Sequence, residues 1–291
     1  MTSLKHLKTK KGRDETGQFM VEGEKFIAEI PANYRILYYV VSRKYADTHD
    51  ISKYRARARC EIIRDSLFDS IASTVTPQGV IAVCEQLPWH INDLLRPDTP
   101  TKHVPKEGGG KEPNALIRGV RKTLLAATGI TPLEGAEAIG GFILMGEGLS
   151  DPGNIGTLIR TAAAAGASGV VLTAGSCDIF SPKVLRAAAG AALRMPVVAE
   201  VDTVETLTML KESQIPIYAA HPRGNALPYD LDLRKEFCLL VGNESQGLSK
   251  EAQTMATALI RLPMTSDTES LNASVAGSIL LYEAVRQRQL R

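Results

Sequence analysis

Cysteine pairs, histidine ladders and long apolar runs are all missing from this chain of 291 residues. Its four cysteines, Cys60, Cys84, Cys177 and Cys238, form no C-x-x-C pair, which argues against a disulfide framework and against a zinc site. The five histidines, His6, His49, His90, His103 and His221, never stand at i, i+4 spacing, so no metal is expected. No apolar run approaches the roughly 18 to 20 residues that a membrane helix needs. The first thirty residues alternate charges (Lys5, Lys8, Lys10, Lys11, Arg13, Asp14, Glu15) and hold no apolar core of signal-peptide length. Together these absences predict a soluble, reduced, cytoplasmic protein that does not meet the membrane.

Net charge is also scarce, at +2 from 34 basic and 32 acidic residues. The sum hides an uneven distribution. Residues 1–64 hold 14 Lys or Arg against 8 Asp or Glu, residues 65–95 hold no base and 4 acids, and residues 138–291 hold 13 bases against 15 acids. A basic N-terminal end beside a slightly acidic remainder fits a chain in which one part meets a polyanion and another performs chemistry.

Hydrophobic residues make up 44% of the chain, enough for two packed domains. Between them, residues 96–140 carry Pro97, Pro100, Pro105, Gly108-Gly109-Gly110 and Pro113, the composition of a linker or insertion, with a short basic helix at 114–127 around Arg118, Arg121 and Lys122. Residues 1–95 read as a small α/β domain, with strands at Ile36–Val41 and Gly79–Cys84. Residues 141–291 alternate apolar strands with helices and predict a parallel sheet covered on both faces. Its strands are expected at Phe142–Met145, Gly169–Thr173, Pro196–Ala199, Ile215–Ala219, Phe237–Val241 and Leu259–Leu262. Helices are expected at Asn154–Ala165, from Ser181-Pro182 to about Leu193, and near 203–213, 249–256 and 270–288.

Open parallel sheets bind ligands beyond the carboxyl ends of their strands, and three loops there have unusual composition. The first is Gly146-Glu147-Gly148-Leu149-Ser150-Asp151-Pro152-Gly153-Asn154-Ile155-Gly156, followed by Arg160. Asp151 breaks the G-x-G-x-x-G order, which counts against a nicotinamide or flavin fold. Asn154 and Arg160, six positions apart, converge only if Asn154 caps the helix. Arg160, alone among Ile159, Thr161 and four alanines, offers a fork of donors suited to phosphate or carboxylate. The second loop, Gly242-Asn243-Glu244-Ser245-Gln246-Gly247-Leu248, brackets polar side chains with glycines, as a loop pressing backbone donors on a ligand requires. The third runs from Leu262-Pro263-Met264 to Ser270-Leu271-Asn272-Ala273. Ser270 and Asn272 share a polar site if they occupy the N-cap and N2 positions of the helix that follows. The small residues Ala273, Ser274, Ala276, Gly277 and Ser278 of that helix allow another helix to approach closely.

In this order, the three loops resemble the three motifs of the SpoU/TrmH branch of the SPOUT methyltransferases, over roughly residues 141–291. The stretches Gly17-Gln18-Phe19-Met20-Val21-Glu22-Gly23 and Thr76-Pro77-Gln78-Gly79-Val80 resemble the substrate-binding domain often fused to this branch, similar to ribosomal protein L30e. The resemblance implies transfer of a methyl group from S-adenosylmethionine to a ribose 2′-hydroxyl of RNA, a deep trefoil knot, and a homodimer with its active site at the subunit interface. It implies a cofactor pocket lined by Gly242, Asn243, Gly247, Leu262, Met264 and Leu271. Arg160 would be catalytic, with Asn154, Glu244, Ser270 and Asn272 arranging substrate and cofactor. Ser245 departs from the usual glycine of the second motif.

An L30e-like domain recognises kinked or looped RNA, which favours 23S ribosomal RNA as the substrate over transfer RNA. A non-catalytic RNA-binding or ribosome assembly factor on the same fold, and a Rossmann oxidoreductase, are the competing readings.

Overall fold

The computed structural model describes residues 2–95, 141–265 and 270–289. The segment 96–140, with its expected basic helix, lies outside the described residues. The chain divides into two compact units. The first comprises the residues up to Pro88 together with Asp178–Leu193; the second comprises Trp89–Cys177 and the residues from Arg194 onward.

The first unit is built on a four-stranded sheet in the order β1-β4-β2-β3, with β1 at Gln18–Glu22, β2 at Ile36–Ser42, β3 at Arg59–Ile63 and β4 at Val80–Glu85. β4 runs antiparallel to β1 and β2, while β2 and β3 are parallel. The apolar run Val80-Ile81-Ala82-Val83-Cys84 is buried throughout, which places it at the centre of the sheet. β3 was not expected. Its sequence, Arg59-Cys60-Glu61-Ile62-Ile63, pairs on one side only, as β2's outer neighbour, and an edge strand of this kind keeps charges that mask its pattern. The helices are α1 (Thr2–His6), α2 (Lys10–Thr16), α3 (Glu24–Ala28), α4 (Arg43–Thr48), α5 (Ser52–Arg55) and α6 (Asp65–Ile71). Thr9 caps α2 by accepting from the Gly12 amide, and Gly17 ends it in the left-handed region. Leu4, Leu7, Met20, Val40, Phe68 and Ile81 share one apolar cluster on the sheet.

From Trp89 the chain forms α7 (Ile91–Leu95), β5 (Phe142–Gly146), α8 (Pro152–Ala164), β6 (Gly169–Thr173), α9 (Pro182–Ala187), α10 (Ala191–Arg194), β7 (Val197–Val201), α11 (Thr203–Glu212), β8 (Ile217–Ala220), β9 (Phe237–Val241), α12 (Lys250–Met255), β10 (Ala258–Ile260) and α13 (Ala273–Gln289). Six strands make the second unit's sheet, in the order β10-β8-β9-β5-β6-β7, every neighbouring pair parallel. β5, β6 and β9 are buried along their whole length, which is why they read as unbroken apolar runs. Ile143, Met145, Val171, Leu207, Leu210 and Leu240 belong to one cluster on this sheet, each such side chain stabilising the fold by about 1.5 to 3 kcal/mol over exposure. Leu94 of α7 joins the same cluster and lies where a side chain on Gly169 would have to go, so residues 89–95 belong with the parallel sheet.

Three helices differ from their expected extents, α8 by starting at Pro152 and not at Asn154. The run from Ser181 to Leu193 is not one helix: Ala189 and Gly190 both adopt positive φ, 47° and 74°, and break it into α9 and α10. The final helix starts at Ala273, not Ser270. Its end is pinned to the chain before β9. Gln287 Oε1 accepts from the Leu233 amide at 3.0 Å, and Arg288 donates to the Leu233 and Lys235 carbonyls while lying over the Phe142 ring. Burial brings the Arg288 guanidinium down to about 10, with Glu236 opposing.

The strand order carries the functional geometry. β5 is first in the chain yet lies between β6 and β9, so the sheet winds outward from it in both directions. The loops leaving β5 and β9 are therefore neighbours at the carboxyl end, the position where such sheets bind ligands.

Candidate active site

The loop after β5 runs into α8 through a well-formed N-terminus. Asp151 is the N-cap, its carboxylate accepting from the Asn154 amide at 2.8 Å, and Pro152 follows at the first helical position. Asn154 is thus inside the helix and not its cap. The Asp151-Pro152 pair, the stronger starting signal, decides the register. Asn154 and Arg160 consequently share no face: Asn154 is buried, whereas Arg160 is exposed and has no hydrogen-bond or ion-pair partner among the described residues.

The loop after β9 folds back on itself. The Asn243 and Gly247 backbones exchange hydrogen bonds at 3.1 and 2.9 Å, and Asn243 Oδ1 accepts from the Ser245 and Gln246 amides. A Cβ on Gly242 would come within 2.5 Å of the Gly247 carbonyl carbon, so this closure requires glycine there. Gly247 is held at φ +71°. Ser245 has no positive φ, so serine fits where the resemblance leads one to expect glycine.

Side chains stitch these two loops together. Asn243 Nδ2 donates to the Gly148 carbonyl at 2.6 Å. Glu244 reaches the start of α8, accepting from the Ser150 amide (3.2 Å) and hydroxyl (3.1 Å), the Asp151 amide (3.2 Å) and Asn154 Nδ2 (2.9 Å). Burial pushes the Glu244 carboxyl up, but the hydrogen bonds from Asn154, Ser150 and Asp151 outweigh it and hold the group below its usual range. A second carboxylate completes the seam: Glu147 accepts from the Ser249 amide and hydroxyl at 3.0 and 2.7 Å. Ser150, Glu147 and Ser249 were not among the expected site residues. Only Asp151-Pro152 carried a local signal.

The third loop is arranged differently. Leu262 and Met264 are half-buried, while Ser270, Leu271 and Asn272 are exposed. Asn272 is the residue before α13, and its Oδ1 accepts from the Ser274 amide (2.9 Å), the Ser274 hydroxyl (2.7 Å) and the Val275 amide (3.3 Å). It takes the cap position that had been expected of Ser270, which therefore lies ahead of the helix. α13 packs closely on α8 and β9. Gly277 faces Leu158 and Val241, which a Cβ would meet at 2.7 and 3.2 Å, and the Ser278 hydroxyl donates to Thr161 Oγ1 at 3.1 Å. The structure thus joins Asn154, Asn243, Glu244 and the two glycines, and leaves Arg160, Ser270 and Leu271 unengaged.

The model of the SpoU rRNA Methylase family matches residues 141–282, and that of an MRM3-like substrate binding domain matches residues 1–82. The chain belongs to the SpoU family through its C-terminal domain. Among the relatives of this SpoU protein, the 23S rRNA (guanosine(2553)-2′-O)-methyltransferase RlmP of Bacillus subtilis is 28% identical over 278 residues, covering 96% of this chain and 92% of the relative. The 23S rRNA (guanosine-2′-O-)-methyltransferase RlmB of Xylella fastidiosa is 37% identical over 156 residues, a match spanning 53% of this chain and 63% of that protein's length. Among solved structures, an AdoMet-bound rRNA methyltransferase from Sinorhizobium meliloti aligns with a TM-score of 0.70 at 28% identity, covering 100% of this chain and 95% of the other. The methyltransferase AviRb from Streptomyces viridochromogenes, at 21% identity and a TM-score of 0.73 over 99% and 96% of the two chains, shares the fold.

Proposed function

We propose that this protein transfers a methyl group from S-adenosylmethionine to a ribose 2′-hydroxyl of 23S ribosomal RNA. The observation that carries the reading is the seam between the loops of β5 and β9, closed by Glu244 and Asn154. The likeness to RlmP along nearly the whole of both chains supports ribosomal RNA over transfer RNA.

The residues present fit the cofactor. Gly242 and Gly247 leave backbone polar groups of their hairpin uncovered by side chains of their own, and Leu262 and Met264 are half-buried apolar side chains, a combination suited to an adenosine. Gly242, Asn243, Gly247, Leu262, Met264 and Leu271 would hold it. Once bound, it supplies a methyl group on a sulfonium as the electrophile.

The ribose hydroxyl loses its proton to solvent water as its oxygen bonds the methyl carbon and the methyl–sulfur bond breaks, the neutral thioether leaving. Arg160, whose kind stays protonated with a pKa above about 12, serves this step by binding an adjacent phosphate and stabilising the developing oxyanion. Glu244, already occupied by four donors and held below its usual range, is a weak proton acceptor; it fixes the start of α8 instead. Asn154 anchors that carboxylate, and Ser270 and Asn272 meet the substrate from the third loop. Residues 1–88 hold the RNA, residues 141–291 carry the transfer, and the chain between joins them.

A homodimer and the trefoil knot belong to the same reading. Val275, Ile279 and Tyr282 stand at i, i+4, i+7 on α13 and are 45 to 48% exposed, an apolar stripe that a second copy would cover. The knot is consistent with the hold of the chain before β9 on the end of α13. No helix among the described residues is long and apolar enough to cross a membrane, and with an RNA substrate the same reading takes the protein to be cytoplasmic. Incubation with tritiated S-adenosylmethionine and unmodified 23S rRNA or transfer RNA, followed by mapping, tests the function. One labelled 2′-O-methyl ribose in 23S rRNA is expected; label in transfer RNA alone would overturn the choice of RNA, and no label in any RNA would overturn the activity.

A further inference from the structure

A group of unpaired cations in the first unit lies at one end of its sheet. β1, β2 and β3 run in one direction, because β1 and β2 both oppose β4 and β2 parallels β3. Their carboxyl ends therefore lie together, beside the loop that enters β4. Lys25 follows β1, Arg43 and Lys44 follow β2, and Arg64 follows β3. All four side chains are exposed, and none has a hydrogen-bond or ion-pair partner among the described residues. Three acids at this end are hydrogen-bonded: Glu22 accepts from the Ser73 amide and Thr74 hydroxyl, Glu24 from Tyr45 and Lys53, and Asp65 from the Lys44 amide, while Asp47 and Asp69 are exposed. At the opposite end Arg35 pairs with Glu85 at 3.6 Å and Arg59 with Glu61 at 2.7 Å, and Arg55 is exposed without such a partner among the described residues.

The excursion Asp178–Leu193 reaches the same unpaired end. It belongs to the sequence matched by the SpoU family, yet it packs within the first unit. Arg13, buried, donates to Asp178 at 2.6 Å, and the Phe19 and Phe180 rings lie 4.5 Å apart. An ion pair this enclosed, with side chains 4% and 12% exposed, is costly to break on one side because an uncompensated charge would be left buried, so the excursion is held firmly. On it, Arg186 lines a crevice with Glu22, Phe26, Ser73 and Thr74, residues of the unpaired end. Lys183 stands one turn earlier on α9. Both side chains are exposed, and neither has a hydrogen-bond or ion-pair partner among the described residues.

We propose that Lys183 and Arg186 are RNA-contacting residues that the methyltransferase sequence lends to the substrate-binding unit, extending Lys25, Arg43, Lys44 and Arg64 into one phosphate-binding surface. The inference rests on the reading that the substrate is RNA. Six exposed cations without an ion-pair partner among the described residues complement a polyanion, and single-stranded or looped RNA supplies phosphates along such a row.

The test uses the full chain and an unmodified 23S rRNA transcript in filter binding across a salt series. K183Q/R186Q should lower affinity about five- to tenfold at about 0.1 M salt and flatten the slope of log K against log salt by about 1.5. K183R/R186K should bind as the unaltered protein does, as should R35Q/R59Q at the opposite end. S-adenosylmethionine affinity should not move in any variant. Unaltered affinity and slope in K183Q/R186Q would overturn the proposal, as would a loss in K183R/R186K as deep as in the glutamine pair. Methyl transfer by the unaltered protein is read separately. If it fails while the glutamine pair still weakens RNA binding, the proposed activity falls and this surface stands.

Discussion

The loops after β5 and β9 and the loop before α13 are built in opposite ways. The first two are locked to each other before any ligand arrives: Asn243 holds Gly148, Glu244 holds Ser150, Asp151 and Asn154, and Glu147 holds Ser249. In the third, Asn272 caps its own helix, and Ser270 and Leu271 face outward. The difference separates rigid framework from working parts. Groups that fix geometry are satisfied, whether buried as Asn154 is or exposed as Glu244 is, while Arg160 and Ser270, the groups proposed to meet the substrate, are exposed and unengaged.

The comparison breaks most sharply at Arg160. If it is a working group, Arg160→Ala should lower methyl transfer by at least about 10²-fold, the usual loss when one oxyanion donor is removed. Thermal stability should stay unchanged, because an exposed, unpartnered side chain contributes within about 0.5 kcal/mol. Cofactor affinity should remain within a few-fold. Retained turnover in a radiolabel assay would return Arg160 to an ordinary surface role.

Glu244 should behave in the opposite manner. Glu244→Gln turns a group with two acceptor oxygens into one whose amide faces donors on either side. For a partly exposed site the expected cost is on the order of 1 kcal/mol, a fall in Tm of about 2 to 4 °C. The pH dependence has a definite sign. The folded-state value lies below the unfolded one, so the stabilisation is complete above the ordinary carboxylate range, near about pH 4.3, and is lost as pH falls through the folded value. The gap in Tm between the two proteins should therefore close on acidification. A gap that persists in acid would mean that the lost stability came from shape, not from the charged clamp.

Different parts of this contrast were visible in the sequence to different degrees. Buried parallel strands announce themselves, because Phe142–Gly146 and Phe237–Val241 have no face to spare for water. The third motif's helix was visible, but not its first residue: Ser270 and Asn272 are both good caps, and only the hydrogen bonds of Asn272 decide between them. The break at Ala189 was hidden, since a run of alanines before Gly190 favours helix locally and only tertiary packing imposes φ of 47°. Least legible was the framework itself. Glu244 and Asn154 are 90 positions apart, and nothing local to either says that the strand order makes their loops neighbours.

The smallest effect tests the third loop. Asn272→Ala removes an acceptor used by the Ser274 and Val275 amides, which should cost about 1 kcal/mol and lower Tm by a few degrees. Asn272→Asp keeps that acceptor and adds a charge favoured at a helix N-terminus, so it should restore the lost stability. What Asp does not restore is the amide Nδ2, which makes no hydrogen bond among the described residues while Oδ1 makes three. If Asn272 only caps α13, Asp should recover turnover together with Tm. If Tm returns and turnover does not, the amide acts on the substrate, and Asn272 belongs at once to the framework and to the working parts.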